Sequence, residues 1–366
     1  MKIAYDAKRF FRNTSGLGNY SRDLIRILAD YYPENEYHLL FKDKNGRGGD
    51  ILEKPNVFFD KISKGFLARQ TQMGFDAQQI DADIFHGLSG ELPFAWKDKK
   101  IRKIVTIHDL IFVRYPKFYS FFDRLIHFYK FKKAVDIADL VIAISEQTKR
   151  DIIEFLRIDE DKIRVVYQGC HHFFKENIDT ETLNNIKSKY NLPNRFILNV
   201  GTIEERKNIL SVVKALQGTD IPLIIIGKKT KYHIEIEKEL IRNPIKIQFL
   251  EGVSIQELAG IYRLADIFVY PSLFEGFGIP IIEALYSNTV VVTSNTSSLT
   301  EAGGNDSVYI NPLDIKDIRA KLLFLWENES ERERRAEKGK IFVQKFNDDI
   351  IAKNLMDVYE ELMRKY

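Results

Sequence analysis

The sequence predicts an α/β protein with two parallel-sheet domains, and three observations support that fold class. Short apolar segments alternate with amphipathic helical segments from end to end. The apolar segments form two groups of six, separated by a polar and aromatic stretch near residue 170. The 366 residues are enough to bury two hydrophobic cores. We therefore expect two Rossmann-like domains whose parallel sheets face each other across a cleft.

The individual elements follow from the apolar pattern, taken in chain order. In the first half we predict strands at residues 2–6, 37–41, 83–86, 103–108, 140–144 and 163–167. In the second half we predict strands at residues 196–201, 223–227, 245–250, 267–270, 290–293 and 308–310. Helices are predicted between them, including one over residues 19–31 and one over 147–156, for which Ser145 is the expected N-cap.

The last segment, residues 348–366, is predicted to be a helix with one apolar face. Ile350, Leu355, Val358 and Leu362 form that face, which must pack against another element. We expect it to pack back on the first domain. The predicted organisation is therefore an N-terminal domain of residues 1–169 completed by 348–366, and a C-terminal domain of residues 170–347.

The composition is that of an ordinary intracellular protein. Apolar residues make up 45% and charged residues 29%, and the formal net charge of +3 does not argue for nucleic acid as a partner. The single cysteine, Cys170, excludes an intrachain disulfide and favours a reducing compartment. We see no apolar signal-peptide core after Met1 and no stretch long enough to span a membrane, so we expect a cytoplasmic protein.

Residues 95–134 carry a local excess of positive charge. They contain 11 Lys or Arg residues against 3 Asp or Glu residues, with nine Phe and Tyr residues interleaved from Phe112 to Phe131. Basic residues mixed with aromatic ones dock on anionic membranes or on phosphate-bearing acceptors. A core helix with a solvated basic face explains the pattern equally well. A peripheral contact with the inner face of the membrane is therefore one of two open interpretations.

Ligands of open parallel sheets bind beyond the carboxyl ends of the strands, so functional residues are expected in the loops that follow strands. The strongest such motif is residues 270–284, a strand end followed by a glycine-containing loop and a helix. Its loop, Phe-Glu-Gly-Phe-Gly at residues 274–278, is expected to be exposed and to approach a ligand through Gly276, Phe277 and Gly278. Glu275 and Glu283, eight residues apart, can hold hydroxyls at two points of one elongated ligand, such as a sugar and a ribose.

Two further loops have residues suited to phosphate. Arg206 and Lys207 follow the strand that ends at Gly201, where two cations and a helix N-terminus would stabilise a diphosphate. Residues 14–20 contain Gly16 and Gly18 after the first strand. The third glycine of a dinucleotide fingerprint is replaced there by Ser21, so a nicotinamide site is a weak interpretation and a phosphate or acceptor contact the better one.

Histidines at two strand ends are candidates for contacts with a sugar or an acceptor. His108 ends the predicted strand over residues 103–108 and Asp109 follows it, and His86 ends another predicted strand. A lone histidine is more often structural, but its place at a strand end favours a role in the cleft. The Asp-Ala-Asp sequence at residues 81–83 precedes a strand, so we interpret it as structural and expect no metal.

Together these motifs resemble retaining glycosyltransferases of family 4, the group 1 transferases of bacterial surface-polysaccharide synthesis, which have the GT-B fold. The resemblance covers essentially the whole chain and is most specific at Glu275 and Glu283. It implies that the first domain binds the acceptor and the second the donor, that Arg206 and Lys207 bind the donor diphosphate, and that Glu283 binds the ribose. By the same resemblance Glu275 binds the transferred sugar.

The residues after Ser15, Gly-Leu-Gly-Asn-Tyr, resemble the Gly-Ile-Gly-Arg-Tyr loop of mannosyltransferase-like members. Asn19 stands where many of those have arginine. Gly16 and Gly18 are accordingly candidates for the donor diphosphate, and Asn19, His86 and Asp109 for the acceptor side.

The expected activity is metal-independent hexosyl transfer, with mannose favoured, from a GDP- or UDP-linked sugar to a glycan or lipid-linked acceptor. His108 and Glu275 would be catalytic and would orient the sugar. The resemblance implies retention at the anomeric carbon, and front-face attack assisted by the leaving phosphate is the default mechanism. A nucleotide-sugar epimerase of the same fold, a nicotinamide-dependent enzyme and a non-catalytic nucleotide-sugar-binding protein are the alternatives.

Overall fold

The computed structural model describes residues 1–13, 16–44, 46–62, 68–96 and 100–365. The chain forms two compact units. The first consists of Met1–Gly169 with Phe346–Tyr366, and the second of Cys170–Lys345. Ser15 of the predicted glycine loop, residues 97–99 of the basic segment and Tyr366 of the last helix lie outside the described residues.

Each unit contains one sheet in which all the paired strands are parallel. The first sheet has seven strands in the order β3-β2-β1-β4-β5-β6-β7, and the second has six in the order β10-β9-β8-β11-β12-β13. The strands of the first unit are β1 Lys2–Asp6, β2 Glu36–Phe41, β3 Val57–Lys61, β4 Ile84–Gly87, β5 Arg102–Ile107, β6 Leu140–Ala143 and β7 Ile163–Val165. Those of the second are β8 Ile197–Val200, β9 Leu223–Ile226, β10 Ile247–Leu250, β11 Ile267–Tyr270, β12 Val290–Ser294 and β13 Val308–Ile310. The predicted α/β fold class with two parallel sheets is confirmed.

The helices connect these strands. In the first unit they are α1 Lys8–Arg12, α2 Gly16–Tyr31, α3 Gly49–Leu52, α4 Ala68–Thr71, α5 Met73–Gln79, α6 Ile111–Arg114, α7 Phe121–Ile137 and α8 Glu146–Asp151. In the second they are α9 Thr180–Lys189, α10 Ile209–Ala215, α11 His233–Arg242, α12 Ile255–Leu264, α13 Ile279–Tyr286, α14 Leu299–Gly303, α15 Ile315–Glu327 and α16 Glu329–Phe342, followed in the first unit by α17 Asp348–Arg364. Short 3₁₀ turns lie at Pro116–Phe118, Glu160–Lys162, His172–Phe174, Glu205–Lys207 and Val343–Phe346, and a π-helical turn at Ile152–Leu156.

Both faces of the first sheet are covered, as strand β1 shows. Successive side chains of a strand point to opposite faces. Ile3 and Tyr5 lie in one apolar cluster, and Ala4, between them, lies in the cluster on the other face. All three side chains are fully buried. This two-sided burial explains why the strands read as continuous apolar runs rather than as alternating ones.

Three local features differ from the sequence-based expectation. The edge strand β3 was not predicted, because its apolar run is limited to Val57–Phe59 before Asp60 and Lys61. Helix α2 begins at Gly16 instead of residue 19. The helix predicted over residues 147–156 is α-helical only to Asp151 and continues as the π-helical turn, although Ser145 does cap it by accepting from the N–H of Thr148.

Helix α17 packs on α2 within the core of the first unit. Leu355 and Leu362, which were predicted for its apolar face, are fully buried there, and so is Tyr359. Ile350 was assigned to the same face but is 36% exposed, and Ile351 takes the buried place next to it. The apolar face is therefore rotated by one residue at its beginning.

None of the helices in the described part of the chain is both long enough and apolar enough to cross a membrane.

Candidate functional site

The order of the strands locates the candidate site of the second unit. The chain runs from β8 outward to β10 and then returns to place β11 beside β8. Such a reversal of strand order opens a crevice at the carboxyl ends of the two central strands, where ligands of open parallel sheets bind. The 3₁₀ turn Glu205–Lys207 follows β8, and the loop with Glu275 follows β11. The two motifs predicted to bind the donor therefore meet at one place.

Three donors converge on a single oxygen, Oε1 of Glu275. Lys207 Nζ donates to it at 2.6 Å, Arg206 Nη1 lies 2.8 Å away, and the hydroxyl of Tyr270 donates at 3.1 Å. Lys207 Nζ also donates to the Tyr270 hydroxyl at 2.5 Å. Arg206 is held in place by the backbone carbonyl of Phe274 at 2.7 Å. The cations and the carboxylate form one compact cluster.

The charged groups of this cluster keep one another ionised. Burial alone raises the pKa of Glu275, but the positive charges of Lys207 and Arg206 lower it to about 2. Burial lowers the pKa of Lys207, but Glu275 more than offsets that and the net direction is upward. Glu275 is therefore ionised and Lys207 protonated at neutral pH. The structure thus holds two cations that share the carboxylate of Glu275, and Arg206 also pairs with Glu204 at 2.6 Å.

The loop that presents Glu275 is fixed by serines after β12. Ser298 Oγ donates to the carbonyls of Glu275 at 2.9 Å and Phe277 at 2.8 Å, and the N–H of Glu275 donates to Ser297 Oγ at 3.2 Å. Phe277 is 3% exposed, so the expectation of an exposed aromatic loop is wrong. Its aromatic side chains anchor the loop from inside. Gly278 has φ +130°, a conformation that side chains rarely adopt.

Glu283 lies in α13, behind the loop. Its Oε2 accepts from the hydroxyl of Tyr262 at 3.0 Å. Burial raises the pKa of Glu283 to about 7, although the bond from Tyr262 opposes the shift. Glu275 and Glu283, the two carboxylates of the predicted pair, thus have opposite environments. One is strongly ionised by cations, and the other titrates near neutral pH.

In the first unit, both ring nitrogens of His108 make hydrogen bonds. Nε2 lies 2.9 Å from the carbonyl of Leu88, which can only accept, so Nε2 carries the proton. Nδ1 then accepts from the side-chain amide of Gln168 at 3.1 Å. The ring packs edge-on against Tyr20, with centroids 4.6 Å apart. Burial lowers the pKa of His108 to about 4, so the imidazole is neutral at physiological pH.

His86 lies deeper, in a chain of buried side chains. It is 0% exposed, and its ring nitrogens bond the hydroxyls of Thr106 at 2.8 Å and Tyr359 at 2.7 Å. Burial lowers its pKa to about 3. The Tyr359 hydroxyl lies 3.2 Å from that of Tyr5. In this structure His86 connects α17 to the sheet and has no nitrogen left for a ligand.

The candidate residues that follow β1 lie in the first turns of α2, and Asp109, which follows β5, lies just before α6. Gly16 and Gly18 are in the first turn of α2 rather than in a loop. A Cβ on Gly18 would lie 2.1 Å from the carbonyl oxygen of Asn13, whereas one on Gly16 would meet none of the described residues within 4 Å. Asn19 is exposed and accepts from Arg22 at 2.7 Å, and Asp109 accepts from the N–H of Ile111 at 3.1 Å. Gly18 therefore has a packing role, while Gly16 leaves open space at the helix N-terminus.

Asp83 of the Asp-Ala-Asp sequence accepts from the N–H of Lys2 at 2.8 Å and so joins β4 to β1. Among the described residues no group of three or more His, Cys, Asp or Glu side chains is arranged to hold a metal ion.

Sequence reasoning missed three side chains that shape these sites. Tyr270 and Tyr262 bond the two glutamates, and Gln168 bonds His108. Tyr270 stands at a strand end directly before the predicted loop, which is a signal that could have identified it. Tyr262 and Gln168 are brought in from other elements, and no local pattern marks them.

Comparison with known proteins agrees with this architecture. The family "Glycosyltransferase Family 4" matches residues 15–172, and the family "Glycosyl transferases group 1" matches residues 182–342. O-antigen chain mannosyltransferase B of Escherichia coli is 26% identical over 394 aligned residues, which cover 99% of this chain and 100% of that protein.

Two solved structures share the fold over the whole chain. Sucrose-phosphate synthase of Thermosynechococcus elongatus superposes with a TM-score of 0.79 and 19% identity, covering 100% of both chains. HepE of Anabaena, solved in complex with UDP-glucose, superposes with a TM-score of 0.76 and 15% identity, covering 99% of this chain and 100% of that one. The fold is GT-B. The protein belongs to the family 4, group 1 glycosyltransferases and is an enzyme of that class.

Proposed function

We propose that the protein transfers a hexose, with mannose favoured, from a nucleotide-diphosphate sugar to a growing glycan or lipid-linked acceptor in surface-polysaccharide synthesis. The observation that carries the donor assignment is the cluster of Arg206, Lys207 and Glu275 at the strand reversal of the second unit. The polysaccharide assignment is supported by the O-antigen mannosyltransferase that aligns over its full length. HepE, whose structure contains UDP-glucose, supports a nucleotide-sugar donor.

The cluster suggests how the donor is held. Without a donor, Glu275 compensates both cations. A diphosphate brings negative charge that Arg206 and Lys207 can bind instead, as guanidinium and ammonium groups do with phosphates. Glu275 is then released to accept hydrogen bonds from the sugar hydroxyls. The same cations stabilise the charge that develops on the leaving phosphate, an effect of roughly 3–4 kcal/mol per well-placed donor.

The remaining roles follow the same logic. Glu283 holds the ribose, the backbone of residues 276–278 lies along the sugar, and Gly16 leaves room for a phosphate. His108 is proposed to orient the sugar, and Asn19 and Asp109 remain proposed for the acceptor side. His86 is withdrawn from that role, because it is fully buried and both of its ring nitrogens are hydrogen-bonded. No carboxylate is assigned as a covalent nucleophile, so the reaction proceeds by front-face attack with retention. The two cations supply the charge that a metal would, so turnover is independent of metal. Loss of turnover in EDTA that only Mg²⁺ or Mn²⁺ restores would contradict this.

A thermal-shift screen tests the donor site. The wild type, Lys207→Ala and the control Lys214→Ala are heated with GDP, UDP, GDP-mannose, UDP-glucose and NAD. Binding to the native state raises the melting temperature by mass action. We expect one nucleotide family to stabilise the wild type and Lys214→Ala but not Lys207→Ala. Lys214 lies on the same unit and, among the described residues, forms an ion pair with Glu239 alone. Stabilisation by NAD alone would contradict the proposal.

Product analysis separates transfer from the alternative of an epimerase. With the stabilising nucleotide sugar and a membrane extract as acceptor source, a transferase releases the nucleotide diphosphate and labels the acceptor. An epimerase converts the nucleotide sugar with no acceptor present. A non-catalytic binding protein would leave the donor unchanged in both reactions.

We also propose that the enzyme works on the cytoplasmic face of the membrane, which it contacts through α7. Five of the helix's large apolar side chains are more than half exposed: Phe121, Phe122, Leu125, Ile126 and Tyr129. The lysines of residues 95–134 add the positive charge that an anionic bilayer attracts. An exposed apolar face next to basic residues is typical of interfacial helices.

Flotation with liposomes tests this contact. The wild type is expected to float with phosphatidylglycerol vesicles and less so as salt rises, since salt screens the attraction. Phe122→Ser is expected to reduce flotation severalfold. The control Ile341→Ser removes an equally exposed side chain from α16, where Ile341 is 74% exposed. Equal flotation of both variants, or no dependence on lipid charge, would contradict the contact.

A further inference from the structure

The first unit has its own strand reversal. The chain runs from β1 outward to β3 and then places β4 beside β1. Strand β1 ends at Asp6, and α1 starts two residues later with Lys8 and Arg9. Two adjacent cations therefore stand at the carboxyl end of a central strand, where the crevice of such a sheet lies. They are not part of the motifs discussed above.

The acidic side chains at this place are already occupied. Arg69 donates to Asp6 at 2.6 Å through Nε and to Glu91 at 2.6 Å through Nη1. Lys130 lies 3.5 Å from the other oxygen of Glu91. Asp6 is 7% exposed, so its carboxylate is held inside by Arg69. The two carboxylates are thus paired with Arg69 and Lys130, and their attraction for Lys8 does not offset the burial and the positive charges that lower its pKa.

Lys8 and Arg9 have no ion-pair partner in the part of the chain that the structure describes. The Nε of Arg9 is buried and has no hydrogen-bond acceptor among those residues. A buried donor without an acceptor is costly, and native structures rarely leave one unless a ligand or another group completes it. Arg12, on the same helix, shows the contrast, because it pairs with Asp43 at 2.5 Å.

The unpaired charges act on their surroundings. Burial lowers the pKa of Lys8, and the positive charges of Arg69 and Arg9 lower it further. Burial also lowers the pKa of His108, and the charge of Arg9 adds to that shift. Arg9 is therefore electrostatically close to the histidine proposed to orient the sugar. An anion bound here would relieve the repulsion among the cations.

The second unit provides an internal comparison. There, too, two adjacent cations, Arg206 and Lys207, follow the first central strand at the strand reversal. In that unit Glu275 compensates them. In the first unit two adjacent cations also follow the first central strand, but neither makes an ion pair with a carboxylate among the described residues.

The structure assigns to Lys8 and Arg9 an anion subsite that binds a phosphate or diphosphate group beside His108. This subsite deepens the proposed function, on which its role in transfer rests. The group is either a phosphate of the donor or the diphosphate of a lipid-linked acceptor. The charge and the orphaned guanidinium N–H fit both, since both present phosphate oxygens.

Calorimetry with pyrophosphate tests the subsite in the full-length chain. The titrations use the Lys207→Ala background, in which the cluster of the second unit is disabled. We expect pyrophosphate to bind this variant still. Adding Arg9→Ala is expected to weaken binding roughly tenfold or more, because one charge-assisted contact is lost. Adding Arg12→Ala, which removes an equal charge from the same helix, is expected to change the dissociation constant by less than about twofold.

Arg9→Gln provides a second variant that retains part of the side chain, and melting temperatures of all variants verify folding. Equal pyrophosphate affinity in the Arg9 and Arg12 variants, or no binding at all in Lys207→Ala, would overturn the subsite. These outcomes do not depend on transfer, so they are distinguishable from failure of the proposed reaction.

Two further probes identify the source of the phosphate. Farnesyl diphosphate represents a lipid-linked acceptor, and the nucleotide sugar that stabilises the wild type represents the donor. If Arg9→Ala weakens the binding of farnesyl diphosphate alone, the subsite holds the diphosphate of the acceptor. If it weakens the binding of the nucleotide sugar alone, the subsite holds a phosphate of the donor. No effect on either probe would overturn the subsite.

Discussion

At the scale of single residues, Glu275 is the carboxylate that organises the two cations of the donor site. Its carboxylate holds Lys207 and Arg206 together before any ligand arrives. Glu275→Gln removes that counter-charge while keeping the shape of the side chain. We expect the affinity for GDP or UDP to stay equal or increase, because the diphosphate no longer competes with a carboxylate. We expect kcat to fall by roughly 100-fold or more, since the sugar hydroxyls lose the charged carboxylate that accepts their hydrogen bonds.

Calorimetry and steady-state kinetics measure the two effects separately. Glu204→Gln is the control, because Glu204 pairs with Arg206, at 2.6 Å, whereas Glu275 pairs with both Arg206 and Lys207. Weakened nucleotide binding together with unchanged kcat in Glu275→Gln would contradict the assignment.

Glu283 makes the reaction sensitive to pH. Burial raises its pKa to about 7, above the unfolded value near 4.3. The folded state therefore binds a proton that the unfolded state has released. This proton stabilises the fold at low pH, and the contribution is lost as pH rises from about 4.3 to 7. Ribose hydroxyls donate best to the ionised carboxylate, so the KM for the nucleotide sugar is expected to rise as pH falls through about 7.

A KM–pH profile measures this, and Glu283→Gln is expected to remove the inflection near neutrality. An inflection that persists in Glu283→Gln would assign it to another group.

The residue scale also shows what the sequence could predict of the site. Arg206, Lys207 and Glu275 could be selected because each lies in a loop after a strand. Their mutual contact could not, because it joins residues 68 positions apart in the chain for Lys207 and Glu275. The same holds for Gln168 on His108, 60 positions away. Contacts of this kind depend on how the strands pack, which local patterns do not encode.

At the scale of elements, the start of α2 separates two roles that the sequence could not separate. Gly18 packs against the carbonyl of Asn13, whereas no described residue lies within 4 Å of a Cβ placed on Gly16. We expect Gly18→Ala to destabilise the protein by about 2 kcal/mol or more, because backbone atoms must shift. Gly16→Ala is expected to leave the free energy of unfolding nearly unchanged.

Denaturant unfolding gives both values, and donor KM then shows whether Gly16 matters for ligand approach. A KM that rises in a fully stable Gly16→Ala variant is the expected signature of a phosphate contact. Equal destabilisation of both variants would contradict the packing argument.

Among the elements, the central strands were predicted most sharply, and one edge strand was missed. Strands β1 and β11 begin and end where the sequence predicts, since both faces of a central parallel strand are apolar. The edge strand β3 has only three apolar residues before Asp60 and Lys61, too short a run to mark it. Helix α2 begins with two glycines in its first turn, which in sequence terms favour a turn over a helix.

At the scale of the whole molecule, the second unit is inserted between two parts of the first. Residues 346–366 close the first unit, and Leu355 of α17 is fully buried in its core. Leu355→Ala is expected to reduce the free energy of unfolding by roughly 2–5 kcal/mol. Ile350→Ala, at a 36% exposed position of the same helix, is expected to cost less than about 1 kcal/mol. Denaturant titration followed by circular dichroism compares the two.

The second unit consists of one continuous segment of the chain, so it can be tested as a fragment. A fragment of residues 170–345 contains a complete sheet and its own core. We expect it to unfold cooperatively and to bind the nucleotide diphosphate that stabilises the full chain. A fragment of residues 1–169 lacks α17 and is expected to aggregate unless residues 346–366 are supplied as a peptide. A well-folded fragment 1–169 would contradict the importance of α17.

The late position of α17 also bears on how the protein is made. A ribosome releases residues 170–345 before the segment that covers Tyr5, Leu28 and their neighbours. The inserted unit can therefore fold during synthesis, while the earlier half lacks the part of its core that α17 contributes. Nascent chains with exposed apolar surface are substrates for chaperones and prone to association. Folding of this protein thus runs against the order of its synthesis, and its first strand reaches its final environment last.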